Sequence, residues 1–557
     1  MKKIFTFFAI TFGLVSVLSA QKTLDPDQFV NTQITGPGVY KVEAGKAYAF
    51  DGRIDLTYEI TIEGPEVSWI MNATNPPVLL NTPGADGSSR SFFEIKAGGG
   101  LTMKNLIISG SNSNNEVVGS FIYNGGGNKI VMDNVCFTDW KDFAIQNGYK
   151  GLEISVTNCV YINGVRLSYS PWGGFPLRMD VAANNVLWQN NTVVNSGRLI
   201  TNSGPFFNAN IHEIHNTYLN MSVNGHEQRA NEFITANNIF YNYHFIGRHT
   251  ENHSSPNNTY DSYFTTWNYF SEAKDSLNKI SLYLGQNLFY RPQEIVNWFT
   301  TTGGDSIATS LLWEHADVDS FIVTDNNYTI GANYADMDPG FKTGPGNLSK
   351  IVSWINNYHL NQSADFVDWR IASTVTFNND GLPVLHWPPA FDLSYTNAGL
   401  QKAGTDGLPL GDLNWFPEKK AQYLANKSAI ITALRDSMVN AKYVYDPATM
   451  DNTPLIKDLA TSAKQIGSGQ FNLTNYPNPV DQNTTIQFSL PKQSMVSLSV
   501  FNVYGQKVFE TEKEFVSGTH KLNFDASKLS SGIYMYTLKA ATIDGLNLVE
   551  SKKMIKK

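Results

Sequence analysis

Leu101-Thr-Met-Lys-Asn105-Leu-Ile-Ile108 and Ile130-Val-Met-Asp-Asn134-Val-Cys-Phe137 are two versions of one phrase: alternating apolar residues approach an asparagine, and a second short apolar run leaves it. The phrase returns at Leu152–Tyr161, Val186–Val194, Ile211–Leu219 and Phe233–Tyr241, around Asn158, Asn191, Asn216 and Asn238. The aligned asparagines lie 29, 24, 33, 25 and 22 residues apart, with later candidates at Asn287 and Asn327 after longer insertions. A loose period of this length is a solenoid signature, because one strand–bend–strand unit buries little until another stacks on it. Asparagine suits the bend, since it tolerates left-handed backbone angles and its amide can bond the equivalent amide one coil away. The period predicts parallel strands stacked coil on coil over roughly residues 25–400, with loops of variable length projecting from them. An antiparallel sandwich array or a propeller is the alternative architecture.

The 557 residues are 42% hydrophobic and 16% charged, which supplies a large core and excludes a disordered chain. The same pattern excludes collagen, coiled coil and a multispan membrane protein. Lysine plus arginine (41) against aspartate plus glutamate (49) gives −8 with no basic block, which argues against nucleic acid as a partner. Two cysteines cannot form a disulfide framework. Cys136 and Cys159, 23 apart, are expected one above the other inside the stack as buried thiols, with a disulfide as the alternative.

Residues 1–20 open with Lys2 and Lys3, continue as the apolar run Ile4–Val17 and close on Leu18-Ser19-Ala20, the layout of a secretory signal peptide. The apolar run is too short for a membrane anchor, so no transmembrane segment is expected in the mature chain. Residues 21–416 are read as the β-helix domain, and 417–471 as a helix and linker. In that stretch Leu424, Ile430, Ile431, Leu434 and Met438 fall at helical spacing, which suits a helix covering the open end of the stack or beginning the linker. Residues 472–557 carry ten lysines against seven acids, whereas 21–471 carry 29 basic against 42 acidic residues. That reversal marks a separate domain, and its short alternating runs read as a small antiparallel sandwich.

The tail holds Asn475-Tyr-Pro-Asn-Pro479, then Phe501-Asn-Val-Tyr-Gly-Gln-Lys-Val508, then Leu529-Ser-Ser-Gly-Ile-Tyr534, and ends in Lys552–Lys557. In order and spacing these resemble the C-terminal sorting domain of the type IX secretion system of Bacteroidetes. The resemblance implies export through the periplasm, the secretion machinery as a partner, and a place at the outer-membrane surface or outside the cell. The asparagine-punctuated coils resemble the pectin-lyase-like superfamily in general pattern. Asp338-Pro-Gly-Phe341, with Leu400–Trp415 far downstream, looks like the closing coil of pectin-lyase-like surface proteins from that group. The fold expected is all-β: a right-handed parallel β-helix followed by a short helical segment and a small C-terminal β-sandwich.

No nucleotide loop, zinc spacing or nucleophile elbow is present; the cofactor is left unknown, with calcium at Asp133, Asp139 and Asp142 the one metal considered. Arg166, Arg198, His226, Arg229, Arg248 and His249 each follow an aligned asparagine by seven to thirteen residues. Coils stacked about 4.8 Å apart would bring such cations onto one side, spaced to engage successive acidic sugars. Arg166, Arg178, Tyr169, Trp172 and Tyr243 are the candidate substrate-binding residues, and Asp180, Glu227 and Phe175 could line the same groove, aromatic faces being platforms for sugar rings. For β-elimination from a uronate polymer, a cation neutralises the carboxylate and a base removes the neighbouring proton. Arg198, His226, Arg229, Arg248 and His249 are the candidate catalytic residues for that lyase chemistry. The polygalacturonase pattern is absent, so hydrolysis of that kind is unsupported. A non-catalytic carbohydrate-binding or adhesive surface protein, and a structural solenoid without a glycan ligand, are the competing readings.

Overall fold

The structure is a computed structural model that describes residues 21–166, 173–204, 206–222, 230–246, 262–264, 281–302, 311–313, 327–361, 367–440, 473–490, 493–502, 507–542 and 547–557. The expected signal peptide lies outside them. The chain forms two compact units, Met1–Lys457 and Asp458–Lys557.

The first unit is a parallel β-helix. Its first wall begins with Gln21–Thr23, Gly38–Lys41 and Glu59–Glu63 and ends with Ser281–Gly285 and Asn327–Ile330, each strand pairing in parallel with its counterpart one coil on. The second wall runs from Ala47–Phe50 and Val78–Asn81 to Leu288–Tyr290 and Tyr334–Ala335. The third is shorter: Ile54–Leu56, Phe93–Ile95, Val118–Asn124, the end of Lys129–Asn147, Phe175–Met179 and Ile200–Asn202. Inside, apolar residues stack coil on coil. Phe137, Tyr161 and Trp188 form one ring column with centroids 4.8 and 5.3 Å apart, and Tyr218, Phe240 and Phe289 another at 5.0 and 5.0 Å.

The bends divide between two residues the tasks that the sequence reading gave to one. From the fourth repeat on, Asn190, His215, Asn237 and Gln286 take the left-handed backbone angle, and the residue after each carries the ladder. Asn191 Nδ2 donates to Asn216 Oδ1 (3.2 Å), Asn216 to Asn238 (3.0 Å), Asn238 to Asn287 (3.0 Å) and Asn287 to Asn333 (3.2 Å). Asn327 is therefore no bend residue: it starts a first-wall strand in register with Ser281. A second ladder, which the sequence reading missed, occupies the next bend, where Asn163, Asn195, Asn220 and Asn242 all have positive φ. Each amide donates to the one below it, at 3.3, 2.9 and 2.8 Å.

Cys136 and Cys159 are both free and buried, but not one above the other. Cys136 is in register with Val160, which offsets Cys159 by one residue, and the two thiols enter different apolar clusters. Burial pushes both thiols up, away from the reactive thiolate. Neither is expected to react with an aromatic disulfide reagent at neutral pH until denaturant opens the coils; prompt labelling of the folded chain would contradict their placement.

Residues 341–416 do not close the stack as a last coil. They run back along the outside of the second wall as a strap. Val375, Phe391 and Leu393 pack on Ile107, Cys136, Val160, Ile162, Val194 and Leu219, and Trp415 meets Trp69 edge-on at 4.6 Å. The helix Pro417–Asn440 lies on the outer face of the first wall instead of covering its end. Leu434 and Met438 join Ile214, Ile234, Ala236 and Tyr283, and Arg435 pairs with Glu232 at 2.8 Å. Leu424 is exposed, and Tyr423 takes the buried position beside Leu408 and Leu413.

The second unit is an antiparallel sandwich. Thr474–Tyr476, Asn483–Leu490 and Gly518–Asp525 make one sheet; Lys507–Phe515, Ser494–Asn502, Gly532–Thr542 and Asn547–Lys556 make the other. Alternate residues Ile486, Phe488, Val496, Leu498, Val500, Tyr536 and Leu538 fill the space between.

Candidate functional site

Along the third wall one outward position repeats in every coil. Asp55, Glu94, Tyr123, Gln146, Arg178 and Thr201 stand in register, one above another. At the low end Glu94 pairs with Lys96 and, at 2.5 Å, with Arg53. At the corner leading into this wall Ser120, Phe143 and Phe175 are also aligned, the two rings 5.4 Å apart. Gly174 makes that corner: φ is +70°, and the Gly164 carbonyl oxygen lies 1.6 Å from where a side chain would begin, so only glycine fits.

Two of the arginines singled out in the sequence lie against these rings, and a third is held by the residue before Phe143. The Arg178 guanidinium sits 4.7 Å from the Phe143 ring centre and donates to Asp180 Oδ1 at 2.7 Å. Arg166 Nε donates to Asp142, the residue before Phe143, at 2.6 Å. Arg198 places its guanidinium 5.6 Å from the Phe175 ring. Its accessibility differs from the other two: Arg198 is 1% exposed, against 40% and 32% for the Arg166 and Arg178 side chains. Tyr243 departs from its expected role as a groove platform. It is fully buried in the coil interior, its ring 5.2 Å from Phe240, because its register partner Met221 faces inward. Tyr169, Trp172, His226, Glu227, Arg229, Arg248 and His249 lie outside the described residues.

Asp180 is the centre of this wall's polar network. Burial raises its pKa, but hydrogen bonds from Ser203 (2.6 Å), Gln146 (2.6 Å) and Arg178, with the Arg178 charge, outweigh it and hold the carboxyl below the usual range. Asp180 is thus an ionised acceptor at neutral pH, fixed in place, and a poor proton donor or base. The three aspartates considered for calcium do not converge. Asp133 accepts from Thr157 and Asn158 at 2.8 and 2.7 Å, Asp139 is buried under Thr138 and Asn163, and Asp142 holds Arg166. Among the described residues no group of three or more His, Cys, Asp or Glu is placed to hold a metal ion.

Tyr123, Phe143, Gln146 and Ser203 were missed from the sequence. The signal was present in Ile122-Tyr-Asn-Gly125 and Ile145-Gln-Asn-Gly148, which set an outward polar residue between an inward Ile and a bend Asn. Asn124 Nδ2 donates to Asn147 Oδ1 at 2.8 Å, so this bend has its own amide contact.

No curated protein matches the chain. Among the described residues no helix is long and apolar enough to cross a membrane. Residues 474–557, which contain all the strands of the sandwich, match the family described as the secretion system C-terminal sorting domain. The chain thus carries the sorting domain of the type IX secretion route of Bacteroidetes, and the protein is exported to the cell surface or beyond it.

Proposed function

We propose that the β-helix unit is a polysaccharide-binding module displayed outside the cell, with its ligand lying along the third wall. The observation that carries this reading is the in-register column Tyr123–Gln146–Arg178 beside the Phe143 ring. A column of hydrogen-bonding side chains repeating at about the coil rise, next to a ring face, suits a chain ligand of repeating polar units. Arg166 and Arg178 are each tied to a carboxylate, so the wall offers oriented hydrogen bonds more than free positive charge. This favours binding over turnover. β-Elimination is the second reading, favoured by Arg178 and Arg198 lying against the paired Phe143 and Phe175 rings with Arg166 held by Asp142; it assigns proton abstraction to His226 or His249 and carboxylate neutralisation to the arginines, with Arg229 and Arg248 included.

Affinity electrophoresis of the full chain against pectate, alginate and glycosaminoglycans tests the proposal. Phe143→Ala and Arg178→Ala are each expected to weaken binding about tenfold, the loss of a ring face or of charge-assisted hydrogen bonds. Retardation by none of the polymers, or by all equally in both variants, would sink it. Ultraviolet absorbance of unsaturated product would select the lyase reading.

A further inference from the structure

Where the strap crosses the second bend it encloses a pocket of about 350 Å³, remote in sequence from every residue of the third-wall column. Lys350, Arg370 and His386 line it, with Lys350 Nζ held at 3.3 Å by the Arg370 carbonyl and His386 Nε2 at 2.8 Å from Thr376 Oγ1. Ile371, Pro388, Pro389 and Phe391 supply its apolar lining. Two acids face the same groups. Asp368 takes the Nε and one terminal nitrogen of Arg370 at 3.0 and 2.9 Å, and Asp139 lies fully buried behind Ser373, where burial raises its pKa towards the neutral form.

The helix Leu348–Asn356 begins at this pocket, and it begins without a side-chain cap. The reason lies in the ladder. Asn347, at the cap position, spends its amide on the stack: Nδ2 donates to Asn195 Oδ1 (3.1 Å) and to the Trp369 carbonyl (2.6 Å), and Oδ1 accepts from Asn220 (3.2 Å). The Asn347 carbonyl takes the Lys350 and Ile351 N–H groups at 3.1 Å each, and Gly346, Asn347 and Lys350 bring the positive end of the helix dipole to the pocket wall. A second polar group on the wall is unmatched: Thr374 is 1% exposed and its hydroxyl has no hydrogen-bond partner among the described residues. A buried hydroxyl without a partner loses its bonds to water with nothing in return, so such a group calls for an explanation.

We propose that this pocket binds the oxyanion of one acidic monosaccharide unit, with the charged group at the helix N-terminus beside Lys350 and Arg370 and the ring body against Pro388, Pro389 and Phe391. The volume fits a single sugar and is too small for a chain. The site is separate from the third wall and does not rest on the function proposed for it.

Isothermal titration of the full chain with glucuronate, galacturonate, glucose and sodium sulfate tests it. A uronate is expected to bind at least tenfold tighter than glucose and tighter than bare sulfate, and Lys350→Gln to weaken it about tenfold. Asn185→Ala, on the surface of the first wall, leaves this binding unchanged, and Phe143→Ala is read against the polymers alone, so the two proposals fail separately. Equal affinity for glucose and the uronates, sulfate binding as tightly as a uronate, or a Lys350→Gln chain that binds like the parent would each overturn the assignment.

Discussion

Asn216→Ala is expected to lower the unfolding free energy of the β-helix unit by about 4 kcal/mol. The Asn216 side chain makes four buried bonds. It donates to the Trp188 carbonyl (3.1 Å) and Asn238 Oδ1 (3.0 Å), and accepts from the Asn191 backbone N–H (3.0 Å) and Asn191 Nδ2 (3.2 Å). Alanine strands these partners where no water reaches, each at about 1–3 kcal/mol, partly offset where a second bond remains. Asn216→Asp should do no better, because it turns an acceptor towards the Trp188 carbonyl and Asn238 Oδ1. Asn185→Ala serves as the control: its amide bonds Glu153 and Asn210 on the surface, where water replaces the loss, and it should cost less than about 1 kcal/mol. Denaturant midpoints of the full chain, followed by tryptophan fluorescence, check all three; a Asn216→Ala midpoint equal to that of Asn185→Ala would show that the ladder is decoration.

The strap predicts an unusual pH dependence. Asp412 is fully buried, and burial lifts its pKa from 3.8 to about 7, against the bonds from Asn414 and Thr192 and the Lys420 charge that pull it down. A folded-state pKa above the unfolded one gives stability that is complete below about pH 4 and is lost as pH rises through about 7. Three pKa units correspond to about 4 kcal/mol at most. The lowered carboxylates, Asp180, Glu232, Asp368, Asp392 and Asp406, act in the opposite sense: their stability is present above the ordinary carboxylate range and is lost as pH falls through their folded values. The parent chain mixes both trends, so the informative quantity is its difference from Asp412→Asn, a neutral side chain of the same shape. That variant should gain on the parent between pH 5 and 8, by several degrees in melting temperature. Parallel profiles for the two chains would mean that Asp412 does not titrate in this window.

The coil period could be read from the chain because stacking imposes a local pattern: every unit needs inward apolar residues and a bend residue that accepts positive φ. The alignment slipped by one residue after the third repeat because Asn190-Asn191 and Asn237-Asn238 are doublets, and His215 stands in for the first Asn of a pair. The second ladder escaped because Asn163, Asn195, Asn220 and Asn242 sit inside the second apolar run, where they read as interruptions. The strap was illegible for a different reason. Its contacts are set by shape and not by period: Asp406 reaches His215 and Asn414 reaches Asn190, 191 and 224 residues away. The site divides the same way. Arg166 and Arg198 were found because cations at a similar offset from the bend were read as sharing a side, and Arg178 as a residue able to line the same groove. Their unequal accessibility, and the Phe143 and Phe175 rings on which Arg178 and Arg198 lie, depend on how the corner is filled.

Residues 405–415 also fix an order of assembly. Thr405 bonds Asn237, the Asp412 carboxylate accepts from the Thr192 hydroxyl while its backbone N–H donates to Thr217 Oγ1, and the Asn414 amide donates to the Asn190 carbonyl. Coils laid down early thus receive their final fastening from a segment synthesised near the end of the unit, immediately before the helix Pro417–Asn440. A chain cut short by termination or proteolysis would keep its rungs but lack the clasp, so completeness of the polypeptide is written into the mechanical soundness of the finished rod.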